Sequence, residues 1–212
     1  MIFWHAGRCR MCQVSPGPVG GYRYVGPDDI VSAQRTTGCV NAERRGWVTT
    51  KEIGPMSEQD QMNALAAQLP IGAHALHGVL SGGQPEPEHV ALLAAAHIHT
   101  VLDLRLPEEE RGYDEAATVA HAGMEYLNIP VGPAGPDDAA YDKAREVLRD
   151  SGRRPILIHC KSANRVGAVV LPYLILDEGH SEAEAVEIAT AAGLKVQALR
   201  ESALAYVARH RG

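Results

Sequence analysis

The sequence is short of three things that would have pointed to an easy functional class. It has four cysteines in 212 residues, too few and too scattered for the disulfide framework of a small secreted domain. It has no basic surplus: 20 Lys and Arg stand against 26 Asp and Glu, a formal charge of −6. The counterion release that drives general nucleic-acid binding therefore has no source. It also has no long apolar run. The longest, AVVLPYLIL from Ala168 to Leu176, falls far below the ~20 residues of a membrane-spanning helix, and a proline interrupts it. The N-terminus lacks the apolar core and small-residue cleavage site of a secretory signal. These absences predict a soluble, cytoplasmic protein whose partners are neither nucleic acid nor membrane.

What is present is an ordinary globular composition, 45% hydrophobic, with a change of character near residue 56. Residues 1–55 are rich in Gly, Pro, Arg and Thr, as in SPGPVGGYRYVGPDD, and show no sustained apolar period. They read as an irregular or flexible extension, or as sequence upstream of a true start at Met56 or Met62. Cys9, Cys12 and Cys39 with His5 offer zinc-type ligands there. A second tight pair is missing, so no metal is expected.

Residues 56–212 alternate helical and strand-like segments. SEQDQMNALAAQL opens on a capping serine and sets Met62, Leu65, Ala66 and Leu69 on one helical face. HGVLSGG reads as a short strand, PEPEHVALLAAAHIH as a helix with Pro87 at its start, and TVLDL and EYLNIPV as strands. DDAAYDKAREVLRDSG has an aspartate cap, an apolar face of Tyr141, Ala144, Val147 and Leu148, and Gly152 as stop. PILIH is a continuous apolar run, as a central parallel strand covered on both faces requires. Three helices follow, the second with a Ser181–Glu184 capping box and a Gly193 stop. Pro172 removes a backbone bond to Ala168 in the first of them, which predicts a kink. The pattern is an α/β domain with a central, mostly parallel sheet flanked by helices. Its site lies at the carboxyl ends of the strands.

The segment HCKSANRVG, residues 159–167, carries the chemistry. A cysteine at a strand end, followed by a short polar loop and an arginine where a helix begins, sits among unsatisfied main-chain N–H donors. Those donors form a nest for a small anion, and Arg165 can add a two-pronged grip on two oxygens. A thiol in such a place is the reactive kind. The competing reading, an inert core cysteine, is common. The run of strand, Cys160, loop and Arg165 within one α/β unit favours the reactive one.

The stretch LSGGQPEPEHVALLAAAHIHTVLDLRLPEEERGYDEAATVAHAGMEYLNIPV, with PILIHCKSANRVGAVV and AAGLK downstream, resembles the bacterial phosphatase-like domain family first described in beta-lactamase hydrolase-like proteins, a branch of the dual-specificity and tyrosine phosphatase superfamily. The resemblance covers about residues 78–200. It implies a cysteine-phosphatase fold with Cys160 as nucleophile and Arg165 as phosphate-binding arginine, and phosphorylated small molecules or proteins as substrates, with no cofactor.

Lys161, Ser162, Ala163 and Asn164 separate Cys160 from Arg165, one residue fewer than in most tyrosine phosphatases and the loop length of rhodanese-type sulfurtransferases. Ala163 stands where such loops commonly have glycine, and Val166 where a hydroxyl residue usually eases thiolate departure. The resemblance favours a phosphomonoesterase working through a cysteinyl phosphate, with a sulfurtransferase carrying a Cys160 persulfide and a non-catalytic anion-binding module as the alternatives. A phosphatase also needs a general acid. The loop after YLNIPV offers Asp137 and Asp138, with helix capping as their competing role. Asp103 and Arg105 near the end of TVLDL, Gln84 in the SGGQP turn, and His159 beside the cysteine are candidates for supporting the site. Glu108, Glu109 and Glu110 read as a solvated face.

Overall fold

The structure, a computed structural model, describes residues 56–71 and 73–211. The N-terminal extension to residue 55, and with it His5, Cys9, Cys12 and Cys39, lies outside the described residues. The elements follow in the order α1 (Glu58–Ala66), β1 (His74–Leu76), β2 (Val79–Gly82), α2 (Pro87–Ala95), β3 (Thr100–Asp103), α3 (Glu115–His121), β4 (Glu125–Asn128), α4 (Asp138–Arg149), β5 (Ile156–His159), α5 (Asn164–Leu176), α6 (Glu182–Ala191) and α7 (Gln197–His210). Among these helices none is long and apolar enough to cross a membrane.

One five-stranded sheet runs β1-β2-β5-β3-β4. It is parallel except for the β1–β2 hairpin. The run ILIH is the middle strand, as its unbroken apolarity predicted, and Ile156, Leu157, Ile158 and His159 are all buried. Successive strand residues face opposite layers. Leu102, Ile156 and Ile158 join α4, α5 and α7 in one core cluster. Val101 and Leu157 join α1 and α2 in the other. Both faces being covered, strict alternation gives way to strands buried along their whole length in β2, β3 and β5, their polar residues Ser81, Thr100, Asp103 and His159 included.

Helix starts follow their capping chemistry. Ser57, Asp114, Asp137 and Ser181 each accept a bond from a first-turn amide, and Pro87 is the first residue of α2. The apolar face of α4 is Tyr141, Ala144, Val147 and Leu148, the four residues its spacing predicted. Two elements were not anticipated. β1 is a three-residue edge strand turned by His77 and Gly78, both at positive φ (46° and 78°). That is the two-residue hairpin geometry in which both central residues are left-handed. Helix α3, capped by Asp114, lies between TVLDL and EYLNIPV, where the apolar spacing marked no element. Pro172 lies inside α5, which continues to Leu176.

α5 and α6 meet at Gly167, where a Cβ would stand 2.6 Å from Leu194 Cβ and 2.8 Å from the Ala189 carbonyl oxygen. The close approach brings the α6–α7 connection against the first turn of α5, next to the cysteine loop.

Candidate active site

Four parallel strands end on one side of the sheet, and the loops leaving them converge there. β5 delivers Cys160, which is buried (1% exposed). Lys161 and Ser162 are exposed, Ala163 is fully buried, and Asn164 opens α5. Ala163 adopts φ 63°, ψ −5°. The position therefore does require the left-handed conformation that the usual glycine supplies without strain. Its methyl is housed by Gly193 (φ +113°) on the α6–α7 connection, where a Cβ would come within 2.5 Å of Ala163 Cβ and 3.0 Å of its carbonyl oxygen. The alanine in the loop and the glycine outside it are a matched pair. Gly193→Ala should destabilise by about 2–3 kcal/mol in urea melts, combining overpacking with a disfavoured φ. Adding Ala163→Gly should recover only part of that loss, because the carbonyl contact persists.

Asn164 does not line the cup with its side chain. Its Oδ1 accepts the amides of Lys195 (2.8 Å) and Val196 (3.1 Å), tying the loop to the α6–α7 connection. Val166 packs fully buried in the larger core cluster.

Arg165 is within range of Cys160 for charge and hydrogen bonding and is held by a fixed set of acceptors. Its Nη1 donates to Glu109 Oε1 (2.6 Å) and to the Val131 carbonyl oxygen (2.8 Å), and Nη2 donates to Glu109 Oε2 (2.9 Å). Its pKa is raised, chiefly by the bonds to Glu109, against desolvation, with the Cys160 sulfur adding to the rise by charge and hydrogen bonding. Glu109 in turn is lowered to about 2, first by Arg165 and further by the Leu106 amide and Arg105, against the opposing effect of burial. This corrects the reading of the three glutamates as a solvated face: Glu109 turns inward and clamps the arginine. Within EEE nothing distinguishes the middle residue. Only its position in the β3–α3 loop does.

Arg105, 2% exposed, donates to the same carboxylate (Nε to Oε2, 3.3 Å) and to the Glu110 carbonyl oxygen (2.6 Å). It does not pair with Asp103, which takes only the Arg105 amide (2.7 Å). The Asp103 side chain is instead gripped by Arg111 (Nη2 to Oδ2, 2.6 Å; Nε, 2.9 Å) and by the Tyr126 hydroxyl (2.8 Å). His159 lies opposite Asp103 in the sheet register. Its Nε2 approaches Glu115 Oε1 to 2.9 Å, off the line of a hydrogen bond, and Asp103 Oδ1 to 3.9 Å, all three side chains being fully buried. The ligand atoms of Asp103, Glu115 and His159 lie within 4.8 Å of one another. Arg111 already brings a positive charge to both carboxylates, 2.6 Å from Asp103 and 3.6 Å from Glu115. The cluster is thus an ion-pair base beneath the cysteine loop. Glu115 and Arg111 were missed for the same reason as α3.

Gln84 is half-buried and donates from Nε2 to the Arg111 carbonyl oxygen (2.9 Å), tying the β2–α2 turn to the β3–α3 loop. Gly83 in that turn packs close to the Lys161 carbonyl oxygen. Asp137 Oδ1 caps α4 through the Ala140 amide (2.8 Å). Both oxygens of Asp138 are held by Arg209, at 2.5 and 3.3 Å.

A mostly parallel sheet flanked by helices, a cysteine at the end of its middle strand, and an arginine at the following helix start define a phosphatase-like domain of the dual-specificity and tyrosine phosphatase type. The chain belongs to the family described as DSP-PTPase phosphatase fused to NAD+ kinase, which it matches over residues 71–205. Its fold is similar to that of a DUF442 protein from Shewanella putrefaciens CN-32 (TM-score 0.58, 22% identity, covering 69% of this chain and 97% of that one). It is similar also to TpbA of P. aeruginosa (0.52, 25%, 66% and 84%). The core catalytic domain of the PP-IP phosphatase SIW14 from S. cerevisiae shares the fold too (0.55, 20%, 65% and 87%). No curated protein matches the chain.

Proposed function

We propose that the domain is a cysteine-dependent phosphatase acting on a phosphomonoester. The observation that carries this is the Arg165 guanidinium seated beside Cys160 and held in place by Glu109 through two short bonds. A guanidinium so fixed presents its remaining N–H groups to an anion without reorganising. The Cys160 thiolate attacks phosphorus, forming an S–P bond as the P–O bond to the leaving group breaks. A carboxylic acid protonates the departing oxygen. Water then attacks the cysteinyl phosphate, giving its proton to the same carboxylate, and the S–P bond breaks to release phosphate and regenerate the thiolate. Asp137 is the better acid of the two candidates. Its cap engages one oxygen, whereas Asp138 has both oxygens on Arg209. Val166 leaves the second step without the hydroxyl that assists thiolate departure in related loops, which predicts slow breakdown of the intermediate.

The short loop of four residues between Cys160 and Arg165 is the one feature favouring sulfur transfer instead. An assay of the wild type with an aryl phosphate, and separately with thiosulfate and cyanide, decides between them. Phosphate release with a burst of phenol is the expected result. Thiocyanate without phosphate selects the sulfurtransferase, and neither product selects a binding module.

A further inference from the structure

Beside the cysteine loop the structure has a second, basic recess. α6 runs back toward the carboxyl ends of the strands, and the turn joining it to α7 reaches Asn164 and Ala163. A pocket of ≈ 210 Å³ opens there, lined by Leu194, Lys195, Val196, Gln197 and Arg200. It lies at the end of the domain where Cys160 is presented.

The charges around it are unbalanced in a way found almost nowhere else. Arginines 105, 111, 145, 149, 153, 154, 165, 209 and 211 all form ion pairs. Among the described residues the remaining cations are Lys143, on α4, and Lys161, Lys195 and Arg200. The last three stand on the cysteine loop and the α6–α7 turn. Glu201, the acidic side chain next to them on α7, accepts from Gln197 Nε2 (2.7 Å). In a chain of net charge −6, three cations that pair with no carboxylate among the described residues and outnumber the adjacent Glu201 carboxylate leave a local positive excess, which attracts an anion of matching geometry.

We propose that this recess is a subsite for a second anionic group of the substrate, so that the molecule turned over carries two phosphates rather than one. The inference deepens the phosphatase reading. The scissile phosphoryl group enters the Cys160–Arg165 cup, and the second phosphate lies against Lys195 and Arg200, with Lys161 between them on the loop. A lone aryl phosphate uses only the first half of the site.

A molecular ruler tests this. Alkanediol bisphosphates of three to eight carbons, and the matching alkyl monophosphates, are titrated by calorimetry into the full chain carrying Cys160→Ser, and into the same protein with Lys195→Gln and Arg200→Gln added. At least one chain length should bind about tenfold more tightly than its monophosphate, an increment two exposed cations can supply together. The two added substitutions should abolish that preference. No preference at any length, or a preference that survives the added substitutions, overturns the subsite. The catalytic reading fails separately. If the wild type releases no phosphate from aryl phosphate while the bisphosphate preference holds, the recess stands and the phosphatase falls. If aryl phosphate is hydrolysed but no length is preferred, only the recess falls.

Discussion

Cys160→Ser should lower aryl phosphate turnover by about 10⁴-fold or more while leaving the urea midpoint close to that of the wild type. Removing a covalent nucleophile removes the whole two-step route, and what remains is the modest acceleration from binding and electrostatic complementarity. The fold should tolerate the change because serine is nearly isosteric and the loop supplies N–H and guanidinium donors to a hydroxyl as well as to sulfur. Cys160 is 1% exposed, so a polar atom there does need those donors. A large loss of stability in Cys160→Ser would show that they point elsewhere. Arg165→Lys separates charge from geometry. The ammonium keeps the positive charge but cannot hold both Glu109 oxygens and an anion at once. A drop of about 10²-fold in kcat/KM is expected, with the Cys160→Ser loss remaining the larger. Steady-state assays paired with denaturant melts distinguish the two substitutions from simple unfolding.

The parts of the molecule that were legible in the sequence are those where one local rule dominates. The run Ile156–Ile158 had to lie in a covered parallel strand because no polar residue appears before His159 at its end. The face of α4 followed from spacing alone. The Cys160–Arg165 loop announced itself through its position between a strand and a helix. What escaped was settled by tertiary contacts. The β3–α3 loop presents a run of glutamates and arginines with no apolar period, and only the packing of that loop against Arg165 makes Glu109 different from Glu108 and Glu110. The side chain of Asn164 is taken up by the main chain of a connection thirty-one residues away, a role that its place in the loop gave no hint of. Asp103 and Arg105, two apart near one strand end, are both candidates for supporting the site. Each found a different partner through the same loop, Arg111 for one and Glu109 for the other. Ala163 was the instructive case. The sequence raised the question of a glycine position occupied by alanine, and the answer, Gly193 making room, lies thirty residues downstream.

Glu109 is where that loop bears on catalysis, and its replacement should match Arg165→Lys in effect. Glu109→Ala leaves Arg165 with the Val131 carbonyl oxygen as its one remaining fixed partner, and frees Arg105 from the same carboxylate. The guanidinium then samples positions turned from Cys160, and its contribution to the transition state is lost in proportion. A fall of about 10²-fold in kcat/KM is expected, on the scale of removing one preorganised donor from an anion site. Glu109→Gln keeps one acceptor and the shape, and should fall between Ala and wild type. The pH dependence identifies the cause. Glu109 is lowered to about 2 from an ordinary 4.5, so the stability it contributes is fully present above pH 4.5 and is lost as pH falls from 4.5 through 2. The urea midpoint of the wild type should therefore exceed that of Glu109→Gln at pH 7 by a margin that stays constant down to about pH 5 and narrows below 4.5. A margin unchanged at pH 3 would mean that the carboxylate stabilises the loop by packing, not by its charge on Arg165. The predicted fall in turnover would then need another explanation.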